Sequence, residues 1–255
     1  MEPLLKVDDL HKAYGALKIL NGVSVNVKRG EKVSIIGPSG SGKTTFLRCI
    51  NFLEKPTSGH IFVEGKLIGE KTVSGKFVHV SDTELAKDRQ EIGFVFQRFN
   101  LFPHLSVLGN VTIAQTKVLG LSQRDAEARG RQMLEKVGLG HKVDEYPERL
   151  SGGQQQRVAI ARVLAMQPKL ILFDEATSAL DPELIGEVLR VMRQLAEEGR
   201  TMVIVTHEIQ FAAEISDRII FMDHGAVVEE GSPAKVLKDP QHPRTREFLK
   251  RIEQR

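Results

Sequence analysis

The chain has 255 residues, of which 41% are hydrophobic and 27% charged, and its net charge is +3. This composition is ordinary for a globular protein with one large or two small domains, and it excludes a disordered or collagen-like chain. No apolar run approaches the roughly 18 residues of a membrane span, and the N-terminus lacks the basic and apolar regions of a signal peptide. The single cysteine, Cys49, suits a reducing compartment. Because the charges form no basic cluster, nucleic acid is unsupported as a partner.

The first third of the chain is predicted to be rich in β-strands. We expect strands at residues 4–10, 23–27, 32–36 and 60–63, and a helix from Lys43 to about Phe52. The stretch 65–91 is polar and irregular, with a strand expected at 77–80 and a short helix from Asp82.

The middle of the chain, residues 100–166, has a helical pattern. Ser122 and Asp125 have the spacing of a capping pair at a helix start. Strands at 170–173 and 202–205 then alternate with helices at 182–198 and 209–215, and strands follow at 218–222 and 227–229. This alternation predicts a parallel α/β sheet, with the middle helices inserted into the α/β core.

A glycine-rich loop lies between the predicted strand 32–36 and the predicted helix at Lys43. It fits the pattern G-x-x-x-x-G-K-[ST], with the residues Gly37, Pro38, Ser39, Gly40, Ser41, Gly42, Lys43 and Thr44. The backbone N–H groups of such a loop turn inward and bind phosphate. We expect Lys43 to reach the β- and γ-phosphates, Thr44 to bind Mg²⁺ and Thr45 to donate to the α-phosphate. The alternative is a glycine-rich turn with an incidental lysine.

Two adjacent acids end the apolar strand 170–173. Asp174 is expected to bind Mg²⁺ through water, and Glu175 to polarise the water that attacks the nucleotide. Alone, such a pair is often a solvated strand end. Its occurrence together with the phosphate loop favours the catalytic interpretation.

Residues 150–157, Leu-Ser-Gly-Gly-Gln-Gln-Gln-Arg, narrow the class of P-loop protein. The chain resembles the ATP-binding subunits of ABC transporters, whose signature is LSGGQ, nearly end to end. The markers occur in family order: Tyr14, the loop 37–44, Gln97, the signature 150–154, residues 170–175, residues 178–181 and His207. The resemblance implies an α/β P-loop NTPase with a RecA-like parallel sheet core and an N-terminal antiparallel β portion. The whole chain, 1–255, would be one ABC ATP-binding domain with an inserted α-helical subdomain at about residues 99–165.

The resemblance also implies a role for each marker. Tyr14 would stack on adenine, Gln97 would contact Mg²⁺ and the attacking water, and His207 would hold the γ-phosphate. The signature residues would bind the γ-phosphate of the ATP that a second copy of the chain holds; they are Ser151, Gly152, Gly153 and Gln154. Asp181 would couple the two ATP sites of the pair. The ATP sites would then be composite and lie in a head-to-tail homodimer. Taken singly, Tyr14 is more often a core residue, Gln97 a surface residue and His207 a helix cap.

Several segments resemble one group within the family, the importers of polar amino acids, opines and ectoine. They include residues 97–104, 145–151, 178–184 and 240–249. The resemblance implies membrane-spanning permease subunits as partners, an extracytoplasmic solute-binding protein acting indirectly, and a peripheral location on the cytoplasmic face of the bacterial inner membrane. Exposed apolar side chains after Gln97 would receive the permease, and they are Phe99, Leu101, Phe102 and Leu105. Packing of these side chains in the core is the alternative.

The chain departs from the family pattern at two positions, and three other functions are alternatives to amino-acid import. Ala176 stands where many relatives have proline, and Gly109 where an acid is common. The end at Arg255 leads us to expect no C-terminal regulatory domain. The alternatives are a soluble ABC ATPase of DNA repair or translation, the ATPase of an ABC exporter, and a small-molecule P-loop kinase, which would not need the signature.

Overall fold

The computed structural model describes residues 2–253 and divides their strands into three sheets. The strands are β1 (Leu5–Tyr14), β2 (Leu17–Val27), β3 (Lys32–Ile36), β4 (Ser58–Val63), β5 (Lys66–Leu67), β6 (Glu70–Val73), β7 (Lys76–His79), β8 (Ile92–Val95), β9 (Leu170–Asp174), β10 (Thr201–Val205), β11 (Arg218–Asp223) and β12 (Ala226–Gly231). A central six-stranded sheet has the order β12-β11-β3-β10-β9-β8, and all its pairs are parallel except β11 with β12. A four-stranded antiparallel sheet (β2-β1-β4-β5) and the hairpin β6–β7 accompany it. The α/β fold with an N-terminal antiparallel portion is therefore confirmed.

The helices surround the central sheet. They are α1 (Lys43–Ile50), α2 (Asp82–Asp88), α3 (Val107–Lys117), α4 (Gln123–Lys136), α5 (Gly152–Ala165), α6 (Pro182–Glu197), α7 (Ile209–Ile215) and α8 (Pro243–Glu253). The predicted cap of α4 is confirmed, because the Asp125 N–H donates to Ser122 Oγ at 3.1 Å. None of the helices within residues 2–253 is both long and apolar enough to cross a bilayer.

Alternate residues of the central strands pack on opposite faces of the sheet. Leu170 and Leu172 of β9 join a core with α1 and the antiparallel sheet, whereas Ile171 and Phe173 join a second core with α3 to α6. Burial on both faces explains why the central strands are continuous apolar runs. The proposed helical subdomain at about 99–165 therefore shares its core with the sheet.

Three sequence expectations differ from the structure. The strand β8 was missed, because four residues that include Gly93 do not stand out beside a polar segment. Gly93 is needed there, since a Cβ would lie 2.4 Å from Val163 Cγ1. The helical block begins at Val107 and not at residue 100, and the intervening loop contains Pro103. Finally, β5, β6 and α8 were not predicted, whereas β3 was predicted with its observed bounds.

Candidate nucleotide site

The glycine-rich loop joins β3 to α1 at the carboxyl edge of the central sheet. Two of its glycines have no room for a side chain. A Cβ on Gly37 would lie 2.1 Å from the Met222 carbonyl oxygen, and one on Gly42 would lie 2.9 Å from the Ile19 oxygen. Both glycines have a positive φ, 150° and 96°, which side chains disfavour. The loop is therefore held tightly against the neighbouring backbone, while Ser39 and Gly40 are exposed at its tip.

Lys43 lies folded over this loop and is almost fully buried. Its Nζ donates to the carbonyl oxygens of Gly37 and Pro38, each at 2.9 Å. Burial lowers the pKa of Lys43, while the nearby charges of Glu175 and Asp174 oppose that effect. The ammonium is thus held by neutral groups beside the loop, which leaves its charge available for an anion.

Ser41 has a buried hydroxyl with no hydrogen-bond partner among the described residues. A buried polar atom without a partner is costly. Together with the loop N–H groups and Lys43, this hydroxyl fits a site that binds phosphate oxygens. Thr45, in the first turn of α1, is half-buried beside them.

Thr44 and Asp174 meet between α1 and the end of β9. Thr44 Oγ1 donates to Asp174 Oδ1 at 2.7 Å, and Arg48 Nε lies 3.8 Å from Asp174 Oδ2. Burial raises the pKa of Asp174, and the Thr44 hydrogen bond and the Arg48 charge oppose that effect. Hydroxyl and carboxylate oxygens are the ligands that Mg²⁺ prefers, with phosphates and water completing its shell. Within residues 2–253 there is no cluster of three His, Cys, Asp or Glu that could hold a metal alone.

Glu175 and His207 are joined by a hydrogen bond. His207 Nε2 lies 3.0 Å from Glu175 Oε1. This bond is the main cause that lowers the pKa of Glu175; burial opposes it, and the charges of His207 and Lys43 add to it. Glu175 has a φ of 48° and its N–H donates to the Val205 oxygen, so the chain turns sharply as it leaves β9. The result is an ionised carboxylate at the sheet edge that carries the phosphate loop.

A small cavity connects His207 to the phosphate loop. It has a volume of about 210 Å³ and is lined by residues Gly37, Pro38, Ser39, His207, Phe248, Arg251 and Ile252. The histidine and the loop therefore border the same space, and residues of α8 line another side of it.

Gln97 and Tyr14 lie at the ends of strands but are not bonded to the acids. Gln97 follows β8, is exposed, and forms no hydrogen bond within residues 2–253. Tyr14 ends β1 with its side chain half exposed, and Lys12 Nζ lies 4.5 Å from the centre of its ring. Burial raises the pKa of Tyr14, and a hydrogen bond to Glu54 adds to this effect. An exposed ring with a cation over one face is suited to stacking.

The signature residues lie at the start of α5. Ser151 caps this helix: the Gln154 N–H donates to Ser151 Oγ at 3.3 Å, and the Ser151 N–H donates to Gln154 Oε1 at 3.1 Å. A Cβ on Gly152 would lie 3.1 Å from Leu180 Cδ2, and one on Gly153 3.2 Å from Leu184 Cβ. Close packing against residues at the start of α6 therefore favours glycine at both positions, in addition to the proposed role in phosphate binding.

Asp181 precedes α6 and is exposed, and its side chain does not cap that helix. Among the described residues, no hydrogen bond or ion pair links Asp181 or the signature residues to the phosphate loop. The fold therefore brings Lys43, Thr44, Asp174, Glu175 and His207 together, and it leaves the signature elsewhere on the same chain.

The apolar segment after Gln97 is only partly exposed. Phe102 is exposed, whereas Phe99 and Leu105 are half-buried and Leu101 packs against the core of α3 to α6. The expectation of a continuous exposed patch was therefore too broad, because these side chains also anchor their loop.

Sequence reasoning missed two charged side chains at the site. Arg48, five residues after Lys43, faces Asp174, and Lys12 covers the ring of Tyr14. No local signal indicates the Arg48 contact, because Asp174 comes from a distant strand. Lys12 and Tyr14 are two residues apart in β1, and side chains at that spacing share one face of a strand, so this contact could have been inferred.

Proteins with similar sequences match this chain over nearly its whole length. The family profile described as ABC transporter matches residues 20–178. The arginine transport ATP-binding protein ArgV of Corynebacterium glutamicum is 52% identical over 96% of this chain and 97% of its own. The histidine/lysine/arginine/ornithine transport ATP-binding protein HisP of Salmonella typhimurium is 53% identical over 98% and 97%. The nopaline permease ATP-binding protein P of Agrobacterium fabrum is 50% identical over 98% of each.

Solved structures resemble the whole fold. One is cbiO1 from Clostridium perfringens, described as part of the ABC transporter complex cbiONQ, with a TM-score of 0.80 and 32% identity over 100% of this chain and 96% of that one. Another is a dimeric, post-hydrolysis state of the ATP-binding cassette MJ0796 bound to ADP and Pi, with a TM-score of 0.76 and 38% identity over 90% of this chain and 98% of that one. The likeness thus includes the helical block and not the phosphate loop alone.

Proposed function

The chain belongs to the ABC transporter family, and from this membership we propose that it hydrolyses ATP to drive uptake of a polar amino acid or a related solute. Relatives that match it end to end are named for the transport of arginine, of histidine and other basic amino acids, and of nopaline. The observation that carries the enzymatic part is the ionised Glu175 carboxylate, held by His207 at the edge that bears the phosphate loop.

Residues of one copy bind the nucleotide. The N–H groups of residues 37–44 cradle the phosphates, Lys43 contributes a positive charge, and the unpartnered Ser41 hydroxyl adds a donor. Tyr14 presents a half-exposed ring for the adenine.

Thr44 and Asp174, with Gln97, are proposed to hold Mg²⁺. Their oxygen atoms suit this ion. When bound, Mg²⁺ supplies charge that stabilises the oxygens of the transferred phosphoryl group.

Glu175 acts on the attacking water. Because its pKa is low, the carboxylate is ionised at neutral pH and accepts a hydrogen bond from the water, and then its proton. The water oxygen bonds to the γ-phosphorus as the bond to the ADP oxygen breaks. His207 orients Glu175 and lies beside the loop where the γ-phosphate would bind.

A second copy of the chain is proposed to complete each site. Ser151 caps α5, and the N-terminus of that helix suits an anion. Since the signature residues are not bonded to their own phosphate loop, we propose that Ser151, Gly153 and Gln154 face the γ-phosphate bound by the other copy. Asp181, exposed beside them, would link the two sites.

Membrane-spanning permease subunits and a solute-binding protein are the further partners proposed. The exposed Phe102 and the half-buried Phe99 and Leu105 lie in the loop after Gln97, where the permease would bind. The protein would then lie peripherally on the cytoplasmic face of the bacterial inner membrane.

Reconstitution tests this proposal. The chain is purified with the membrane subunits that copurify with it, and the complex is placed in proteoliposomes with a candidate solute-binding protein. We expect uptake of a radiolabelled polar amino acid that requires ATP on the side of the nucleotide-binding subunit and that is lost in Glu175→Gln. Transport in the opposite direction would favour an exporter, and ATP hydrolysis without any copurifying membrane subunit would favour a soluble ABC ATPase.

A further inference from the structure

The C-terminal helix α8 packs beside the strand that leads into the phosphate loop, although none of the proposed site residues lies on it. Phe248 and Leu249 join a core with Ile36 and Phe221, and the rings of Phe221 and Phe248 are 5.2 Å apart. The N-terminus of α8 is fixed as well, because Glu229 accepts hydrogen bonds from the N–H groups of residues 241 and 242 at 2.7 and 3.1 Å. The helix is thus anchored at several points.

Arg244, in the first turn of α8, is paired with a buried carboxylate. Its Nε and Nη2 donate to Asp223 Oδ2 at 2.9 and 2.7 Å, and the other carboxylate oxygen accepts the His224 N–H at 3.0 Å. Asp223 is only 5% exposed, so its charge depends on these donors. Arg244 is therefore the cation bonded to this carboxylate at the end of β11, and His224 Nε2 lies farther away, 3.8 Å from Oδ2.

The turn that follows Asp223 packs against the phosphate loop. The Gly225 N–H donates to the Ser41 oxygen at 3.1 Å, and the Asn21 N–H donates to the Gly225 oxygen at 2.9 Å. At the other end of the loop, the Met222 oxygen occupies the space that a Cβ on Gly37 would need. Backbone atoms of the β11–β12 hairpin therefore lie against the loop at two points, the turn at Ser41 and strand β11 at Gly37.

The geometry of this turn requires support. His224 has a φ of 47°, a conformation that a non-glycine residue adopts at a cost. Its backbone is held on one side by Asp223 and on the other by Asn21, whose Nδ2 donates to the His224 oxygen at 2.9 Å. Loss of the Asp223 anchor would allow the turn to relax away from Ser41.

From these contacts we infer that Arg244 is a positioning residue for the phosphate loop, acting through Asp223 and the turn at residues 224–225. The inference rests on the proposed role of residues 37–44 in nucleotide binding. A loop held in its binding conformation in the free protein pays less ordering entropy when ATP binds. Arg244 would thus affect ATP affinity without touching the nucleotide.

The test compares Arg244→Gln with the wild type in three measurements: the Kd of a fluorescent ATP analogue, the KM and kcat of hydrolysis, and hydrogen exchange of residues 37–44 in the nucleotide-free protein. We expect Kd and KM to rise about fivefold, with kcat at saturating ATP changed by less than about twofold. We also expect faster exchange across the loop.

Arg193→Gln is the matched control. Arg193 also donates twice to a carboxylate, that of Glu214, at 2.7 and 2.8 Å, but it joins α6 to α7 on the outer surface. It should leave Kd and loop exchange unchanged. Wild-type Kd and wild-type loop exchange in Arg244→Gln would overturn the inference, and so would equal effects of the two variants, since these would indicate a general loss of stability.

If Arg244→Gln does not fold, hydrogen exchange of the loop is measured in Arg244→Lys instead. This variant retains the charge against Asp223 but loses the guanidinium geometry, so intermediate loop exchange is expected, and wild-type exchange would overturn the inference. The outcomes also separate this inference from the proposed function. If the wild-type protein binds no ATP, the proposed function is contradicted. The effect of Arg244 on the loop can still be tested, because hydrogen exchange of residues 37–44 is measured without nucleotide.

Discussion

His207 Nε2 and Glu175 Oε1 lie 3.0 Å apart although 32 residues separate them in the chain. The contact follows from the parallel pairing of β9 with β10, in which Asp174 is opposite Val205. Residues that follow two neighbouring parallel strands emerge at the same edge of the sheet. The hydrogen bond therefore joins two loops at the edge that also bears residues 37–44.

His207→Ala should raise the pKa of Glu175, because the bond to His207 is the main cause of its low value. Since the folded-state pKa lies below the ordinary 4.5, Glu175 contributes stability that is present above pH 4.5 and is lost as the pH falls through the lowered pKa. A ¹³C NMR titration of the Glu175 carboxyl measures the shift. His104→Ala is the control, and equal midpoints in wild type and His207→Ala would contradict the assigned cause.

Glu175→Gln should lower the rate of ATP hydrolysis by roughly 10²–10⁴, the usual effect of losing a general base. The amide still accepts a hydrogen bond but takes no proton, so ATP should bind and hold two copies together. Turnover at saturating ATP and light scattering measure the two effects. Glu197→Gln, at an exposed position of α6, should match the wild type; unchanged turnover in Glu175→Gln would remove this residue from the mechanism.

Lys43→Ala should weaken ATP binding itself, since it deletes the charge held over the phosphate loop. Losing a charge-assisted hydrogen bond costs roughly 1.5–3 kcal/mol, which is about 10- to 150-fold in Kd. Nucleotide titration gives the value. Lys76→Ala in the exposed β7 serves as the control. Wild-type affinity in Lys43→Ala would show that this charge is not directed at the nucleotide.

Ser151→Arg should abolish hydrolysis while each monomer still binds ATP, because the bulky cation blocks the surface proposed to meet the second copy. Ser122→Arg is a matched control, since Ser122 caps α4 as Ser151 caps α5. Loss of the cap is therefore common to both variants, and only Ser151→Arg should stop turnover.

Mixing variants tests the composite site further. Ser151→Arg and Lys43→Ala each impair a different half of the proposed site, so a mixed dimer should regain one complete site. Hydrolysis that stays absent in every mixture, with dimers present, would argue against a site shared between copies.

Asp174→Asn should stabilise the nucleotide-free protein while impairing Mg²⁺-dependent hydrolysis. The carboxylate is 2% exposed, burial raises its pKa, and its nearest cation, Arg48, is 3.8 Å away. Removing such a buried charge, while keeping an acceptor for Thr44, should add about 1 kcal/mol to the free energy of unfolding. Thermal unfolding measures this. Asp144→Asn, at an exposed position, should not change the Tm, and a lower Tm for Asp174→Asn would contradict the reasoning.

The sequence predicted those elements that are specified by residues close together in the chain. The loop at 37–44, the strand β3 and the acids that end β9 were all recognisable, because glycine geometry, burial on both faces and strand ends leave patterns within ten residues. The other residues proposed for the site were identified through the resemblance to ABC ATP-binding subunits, because local patterns alone do not single them out; they are Tyr14, Gln97, Ser151, Gly153, Gln154, Asp181 and His207. The short strand β8 and the helix α8 leave weaker local patterns, since their stability comes from packing on distant residues.

Tertiary structure decided which of these residues meet. The strand order β3-β10-β9 brings Thr44 to Asp174 and His207 to Glu175, and the pairing of β11 with β3 places the turn at 224–225 under the phosphate loop. None of these contacts is encoded by neighbouring residues. They depend on sheet order, which is set by burial of apolar strands on both faces and by the connections between them. The sequence alone therefore determined the chemistry of each side chain, and the packed sheet determined their geometry.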